Sequence, residues 1–449
     1  MPSQITPFEQ DEYRLVLVRA GFHAIWAQRA DGALRLPRIT IPRSMRLAEQ
    51  LQLAIEAGWH LSVIVLDILA GEMGSTPCAV VEILSPGPYD GLTIASIDKG
   101  LEEEMTSEEF EAVEAILGSA TIPRGPFSRV GWIEEALQWM QEIVGRTIKF
   151  TGEVRQYNAT GNFTLARFAT LSGPPYWIKA TGEPNVHEFR ITRMLAETCP
   201  EYLPRRIAER GDWNAWLMED AGRPLDSWTR PSLERAALSM ARLQQRTIGR
   251  TTAFLEAGAF DLRIGVVRED LPELVEYLDE AMTRQVSTKV PRIGRRRLQQ
   301  LASILEDACF RMEALEIPDT LVHNDMNSGN ILFQGEHCVF TDWCETGIGN
   351  PFLTLQYLCL LQPRGEEDWA SGLREVYKQC WLGRLSAAQI DEALVLAPLL
   401  AILTHLYGRG TRCHKGRRNV PRVESYARAL ARRMDGAAQD TRLLEALCR

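Results

Sequence analysis

The 449-residue sequence lacks an excess of positive charge. Its 50 Lys and Arg residues are outnumbered by 59 Asp and Glu residues, so the formal net charge is −9. Proteins that live on nucleic acid or anionic lipid carry a broad basic surface, which this composition does not supply. We therefore expect neither nucleic acid nor a membrane among the partners, whereas small molecules stay possible.

Paired cysteines and long apolar runs are also missing. The nine cysteines occur singly, without C-x-x-C spacing, which is typical of a reducing compartment and argues against a disulfide framework or a structural zinc site. The most apolar run, Leu394 to Leu403, is interrupted by Pro398 and is too short to span about 30 Å of hydrocarbon. No signal-peptide pattern opens the sequence. We expect a cytoplasmic protein.

The length favours about two to three domains. Short blocks rich in branched residues, such as 64–66 and 79–83, predict strands in the first segment, and 46–58 predicts a helix between them. Two prolines and a glycine within 121–127 predict a linker. Residues 1–120 are therefore predicted to form a mixed α/β domain.

The pattern changes after the linker. Strand-like segments precede a helix within 128–225, and residues 226–449 are mostly helical. The fold class predicted for the chain is α+β, with a small sheet-containing lobe followed by a large helical lobe.

The most informative motif lies late in the chain. It reads His323-x-Asp325, then Asn330, then Asp342 at the end of an apolar run. Phosphoryl transfer needs one carboxylate to take the proton of the attacking hydroxyl, and an amide with a second carboxylate to hold magnesium. The pattern therefore favours a kinase.

These motifs make residues from about 130 onward resemble the aminoglycoside phosphotransferase and choline kinase group. The resemblance implies a two-lobed, protein-kinase-like fold with lobes at 128–225 and 226–449. It implies that Asp325 is the base or orienter of the substrate hydroxyl, and that Asn330 and Asp342 bind Mg²⁺. His323 is grouped with the catalytic residues, and its ring is expected to support the loop by donating to a backbone carbonyl.

The same resemblance assigns the nucleotide-binding residues, with ATP or GTP as co-substrate. Lys179 would gather the phosphates while Glu188 holds it in place. The turn at Thr160 and Gly161 would touch phosphate through backbone N–H groups, with Gly161 permitting a left-handed turn. Main-chain groups around Glu219 to Ala221, which include Asp220, would read the base.

Two acidic residues typical of the family are absent, since Asn350 and Thr354 stand in their places. This departure keeps open a second hypothesis, a catalytically weak nucleotide-binding regulator whose N-terminal domain contacts a partner. A protein kinase is disfavoured because no D-F-G or A-P-E element follows the catalytic loop.

The order of strands and helix in about 10–118 resembles the scaffold of Nudix hydrolases. That family presents several glutamates on its helix, yet here only Glu56 is kept, and Leu51, Gln52 and Ile55 stand where Arg, Glu and Glu would be. One carboxylate cannot build that metal site. A degenerate Nudix-like scaffold without its metal is the expectation.

The acceptor is the least determined part. Glu345 and the acidic stretch 366–368 could receive an amine, whereas the basic stretch 409–433 could receive an anion. An amino sugar, an amino alcohol or a sugar hydroxyl is the favoured substrate class.

Overall fold

A computed structural model gives the fold of this chain and divides it into two compact units. The first unit combines Met1–Phe189 with Arg205–Asp220, and the second combines Arg190–Pro204 with Ala221–Arg449. The residues that the structure describes are 10–43, 46–69, 76–97, 104–118, 125–335, 337–362, 368–408 and 421–448.

The N-terminal part of the first unit is a seven-stranded sheet with two helices. The sheet order is β3-β2-β1-β6-β5, with β4 also on β1 and β7 on β2; β1 and β6 run parallel. The predicted strands and helix are confirmed. The elements are β1 (Gln10–Val18), β2 (Ile25–Ala30), β3 (Ala33–Arg35), β4 (Arg38–Pro42), α1 (Leu47–Trp59), β5 (Val63–Leu69), β6 (Cys78–Ile83), β7 (Thr93–Ala95) and α2 (Ser107–Leu117).

A five-stranded antiparallel sheet follows in the same unit, in the order β11-β12-β10-β9-β8. Burial alternates along β9, so one face of this sheet is covered. The elements are α3 (Trp132–Val144), β8 (Phe150–Thr160), β9 (Phe163–Thr170), β10 (Tyr176–Ala180), β11 (Arg206–Arg210) and β12 (Ala215–Glu219). Helix α4 (His187–Thr198) begins in this unit, and its residues from Arg190 onward belong to the second unit.

One hydrophobic core joins these two sheets. It contains Val16 and Ile64 of the first sheet, Trp132 of α3, and Phe168 and Leu217 of the second sheet. The linker predicted at 121–127 therefore marks a change of sheet without separating two cores, because the covered face of the second sheet packs on the first. Of that linker, residues 121–124 lie outside the described residues.

The second unit is mainly helical, as predicted, and carries a three-stranded sheet, β13-β17-β14, and a two-stranded hairpin, β15-β16. Its helices share one core. Helix α5 begins with a capping box in which Thr229 and Ser232 exchange side-chain to backbone hydrogen bonds. The elements are α5 (Arg230–Thr247), α6 (Thr251–Glu256), β13 (Phe260–Leu262), α7 (Ile264–Glu269), α8 (Leu271–Thr283), α9 (Arg295–Ala314), β14 (Thr320–His323), β15 (Ile331–Gln334), β16 (His337–Phe340), β17 (Thr346–Gly349), α10 (Phe352–Cys359), α11 (Trp369–Trp381), α12 (Ala387–Gly408), α13 (Pro421–Ala437) and α14 (Thr441–Leu447).

Helix α12 is the one described helix that is long and apolar enough to cross a membrane by length and composition. The expectation from the sequence was a shorter run, interrupted at Pro398, but the helix continues through this proline. Half of its apolar window is buried inside the protein, and core helices of globular proteins pass the same test.

Candidate active site

The catalytic-loop motif begins where β14 ends. All four residues of β14 are buried, and the chain then turns at Asn324 and Asp325, which leaves the Asp325 side chain half-buried. The Asn330 side chain is 8% exposed, and its Nδ2 donates to the Asp325 carbonyl at 2.8 Å and to Asp325 Oδ2 at 3.3 Å. Because the Asn330 nitrogen is used in this way, its Oδ1 is the atom left for a ligand.

Two hydrogen bonds join this loop to the loop that carries Asp342. The Thr341 N–H donates to the Asn330 carbonyl at 2.9 Å, and His323 Nε2–H donates to the Thr341 carbonyl at 2.9 Å. The His323 ring also lies 4.6 Å, centroid to centroid, from Trp343. His323 thus has the supporting contact that the sequence predicted, and it brings Asn330 and Asp342 into adjoining loops.

Asp342 has a strained backbone. Its φ of 65° and ψ of 68° place it in the left-handed region, which few non-glycine residues adopt. The buried Trp343 behind it donates Nε1–H to the Phe340 carbonyl at 3.2 Å, which holds the turn. Strain of this kind clusters at functional sites. A carboxylate from Asp342 and an amide oxygen from Asn330 are hard oxygen donors of the kind that Mg²⁺ prefers, so these residues fit the ion that the family resemblance implies.

Lys179 and Glu188 form a buried ion pair in the first unit. Lys179 Nζ lies 2.5 Å from Glu188 Oε1, and the two side chains are 7% and 1% exposed. Lys179 also lies 5.9 Å from the ring centroid of Trp216 on β12. The nine-residue spacing read from the sequence therefore corresponds to a direct contact between strand β10 and helix α4.

The turn between β8 and β9 differs from the expectation. Thr160 is exposed, but Gly161 does not adopt a left-handed backbone. A glycine is needed there because a Cβ would overlap Ser128 Oγ. The prediction of a left-handed turn at Gly161 is therefore wrong, and close approach of another segment is the physical reason for the glycine.

The predicted base-reading segment lies at the end of β12. The Glu219 N–H donates to the Arg205 carbonyl at 3.0 Å, so this donor is already used within the sheet. The Asp220 carboxylate accepts from Trp177 Nε1–H at 2.7 Å, and Ala221 is half-buried. Sequence reasoning missed Trp177, although it stands two residues before Lys179 on the same face of β10.

The next residue, Gly222, has a φ of 89°, and a Cβ there would overlap the Phe333 carbonyl. Arg223 and Phe333 exchange backbone hydrogen bonds at 3.4 and 3.1 Å. The chain after Ala221 is thereby joined to β15, which begins directly after Asn330.

Neutral groups occupy the positions of the two absent carboxylates. Asn350 is 3% exposed, and its Oδ1 accepts from the N–H of Phe352, the first residue of α10, at 3.0 Å. Thr354 Oγ1 accepts from Gln244 Nε2–H at 3.2 Å, and the Tyr377 hydroxyl contacts Gln244 Oε1. Burial raises the pKa of Tyr377 well above its usual range, so this network is uncharged.

The residues considered for the acceptor are only partly described. Glu345 is half-buried and follows the turn at Asp342. The acidic residues 366–367 and the basic stretch 409–420 lie outside the described residues. These two predictions about acceptor charge therefore remain predictions.

One family model matches the part of the chain that carries this motif. Residues 187–388 match the model of the phosphotransferase enzyme family, a range that includes Glu188 and the whole motif from His323 to Asp342 but begins after Lys179. The match confirms the resemblance to the aminoglycoside phosphotransferase and choline kinase group. It does not reach the N-terminal segment, residues 10–118, where the Nudix-like resemblance remains a prediction. Among curated proteins no match is found.

Solved structures with a similar fold include a choline/ethanolamine kinase family protein from Mesorhizobium loti, at 15% identity and a TM-score of 0.48, covering 70% of this chain and 98% of that one. A macrolide 2'-phosphotransferase from Brachybacterium faecium has 14% identity and a TM-score of 0.43, covering 66% and 97%. A provisionally assigned fructosamine-3-kinase from Thermobifida fusca has 17% identity and a TM-score of 0.42, covering 66% and 97%.

Proposed function

We propose that this chain transfers the γ-phosphate of a nucleoside triphosphate, ATP or GTP, to a hydroxyl of a small molecule such as an amino sugar, an amino alcohol or a sugar. The observation that carries the proposal is the joining of two loops by His323, Thr341 and Asn330, which gathers Asp325, Asn330 and Asp342 in one small region.

The roles follow from the chemistry of each group. Asp325 accepts the proton of the acceptor hydroxyl while the hydroxyl oxygen bonds to the γ-phosphorus. The bond between the γ-phosphorus and the bridging oxygen of the β-phosphate breaks, and a nucleoside diphosphate leaves. Asn330 and Asp342 would hold Mg²⁺, which supplies positive charge to the phosphates when bound. Lys179, fixed by Glu188, supplies a further positive charge to the phosphates.

A cytoplasmic location is part of the same proposal. It is supported by the single spacing of the cysteines along the sequence, which is typical of a reducing compartment.

The test is a coupled nucleotide-consumption assay with ATP and GTP across aminoglycosides, amino alcohols and sugars. Asp325→Asn should lower kcat by about a hundredfold or more, while the triphosphate still raises Tm as in the wild type. Asp319→Asn is the matched control, because Asp319 directly precedes β14, at the opposite end of that strand from Asp325.

Near wild-type turnover by Asp325→Asn would contradict the assignment. Nucleotide-dependent stabilisation of the wild type without transfer to any acceptor would instead favour the weak nucleotide-binding regulator, which the neutral residues Asn350 and Thr354 motivate.

A further inference from the structure

Two buried glutamines connect the N-terminal segment to strand β8. Gln52 on α1 is 3% exposed and Gln156 on β8 is 0% exposed. Gln52 Nε2 donates to the Val63 carbonyl at 2.6 Å and to the Val154 carbonyl at 3.3 Å, and its Oε1 accepts from the Gln156 N–H at 2.8 Å. One side chain thus bridges β5 and β8.

Gln156 makes the reciprocal connection. Its Nε2 donates to the Val65 carbonyl at 3.0 Å, and its Oε1 accepts from the Val65 N–H at 2.6 Å. A primary amide offers the same donor and acceptor as a peptide group, so it takes the place of a neighbouring strand at β5. The pairing of β8 with β9 is irregular between Gln156 and Asn158, at the same point of β8.

The helix face that carries Gln52 is used for this attachment. Leu51 and Ile55 are buried beside it, and Glu56 forms an ion pair with Arg155 of β8 at 2.6 Å. The Nudix-like resemblance would place metal-binding carboxylates at Gln52, Ile55 and Glu56 of this face, and an Arg at Leu51. In this chain the face packs on the strand that leads to the β8–β9 turn.

A second contact holds the tip of the hairpin. The Phe127 N–H donates to the Gly161 carbonyl at 3.2 Å, and Ser128 is 4% exposed against Gly161. A Cβ at Gly125 would overlap Asn162 and the Gly161 carbonyl, so both glycines serve close approach. The base and the tip of the hairpin are therefore attached to segments that precede it in the chain.

We propose that the N-terminal segment positions the β8–β9 hairpin for the phosphates of the nucleotide, with Gln52, Gln156 and Ser128 as positioning residues. This inference rests on the proposed phosphotransfer and on the expectation from the family resemblance that the turn at Thr160 and Gly161 touches phosphate. The N-terminal segment then acts with the hairpin in binding the nucleotide.

The test compares Gln156→Ala with Val113→Ala, which removes buried apolar volume from the same shared core at helix α2. Calorimetry measures the binding of two ligands, the nucleoside triphosphate that the wild type consumes and the corresponding nucleoside without phosphates. Gln156→Ala should weaken triphosphate binding about tenfold and change nucleoside binding less than about twofold, because only phosphates meet the hairpin tip. Val113→Ala should alter neither by more than about twofold.

Gly161→Ala keeps the test decisive if Gln156→Ala does not fold, because it displaces only the tip. Hydrogen exchange of the nucleotide-free protein should then speed up at 158–164 and stay unchanged at 176–180, and triphosphate binding should weaken as for Gln156→Ala.

If Gln156→Ala and Gly161→Ala both bind the triphosphate with the same affinity as Val113→Ala, this inference is overturned while the proposed function stands. A wild type that binds no nucleotide would overturn the proposed function together with it.

Discussion

The Lys179–Glu188 pair allows function to be separated from stability. The two charged atoms lie 2.5 Å apart, and both side chains are almost fully removed from water. Replacing one partner removes this ion pair while the charge of the other side chain stays buried, which costs about 3–5 kcal/mol. Replacing both by apolar residues of similar volume is often neutral or stabilising.

We therefore expect Lys179→Met and Glu188→Leu each to lower the free energy of unfolding by about 3–5 kcal/mol. The double variant should recover most of that loss, because neither buried charge remains. The measurement is urea denaturation followed by tryptophan fluorescence, arranged as a double-mutant cycle.

Activity should behave differently from stability. All three variants lack either the ammonium group or the carboxylate that fixes it, so all should lose phosphotransfer, and the stable double variant should lose triphosphate-induced stabilisation. A double variant as unstable as the sum of the singles would refute the reasoning about burial. One that keeps wild-type turnover would refute the role of Lys179.

Three further predictions follow from single positions. Burial raises the pKa of Glu82 from 4.5 to about 7, so the folded state holds this proton more tightly than the unfolded state, and the group lowers the stability as pH rises between those values. Glu82→Gln should remove up to about 3 kcal/mol of that pH dependence. A pH profile of urea midpoints that is the same in the variant and the wild type would contradict this prediction. Gly222→Ala should lower the free energy of unfolding by about 2 kcal/mol or more, because the new Cβ overlaps the Phe333 carbonyl. Gly249→Ala, where φ is 79° but the space is open, should lower it by about 1 kcal/mol. Equal urea midpoints of the two variants would count against the overlap. Asp342→Asn should keep the wild-type Tm, because Asn tolerates a positive φ, and should lower turnover about tenfold or more at limiting Mg²⁺; turnover independent of Mg²⁺ in both proteins would refute this.

Much of the fold could be predicted because its signals are local. Branched blocks separated by glycines predicted the strands, and β14 followed by a polar loop predicted where Asp325 and Asn330 would lie. Lys179 and Glu188 could be paired because the family resemblance assigns these roles to a Lys on a strand and a Glu on the helix that follows it. The contact of His323 with a backbone carbonyl was likewise expected.

Other features depend on contacts between distant segments, which periodicity does not report. Gly161 was expected to supply a left-handed turn, but it is small because Ser128 approaches it. Gln52 and Gln156 are polar residues that a sequence pattern places at the surface, yet both are buried because each completes backbone hydrogen bonds of another strand.

The amino-acid sequence by itself determined which chemistry is proposed for this protein, because an ordered set of carboxylate, amide and ammonium groups at fixed spacing suits few reactions. Only the tertiary structure decided that the N-terminal segment and the five-stranded sheet share one core. The physical reason is that this core depends on which sheet faces cover each other and on hydrogen bonds between residues about a hundred positions apart in sequence, as between Gln52 and Gln156.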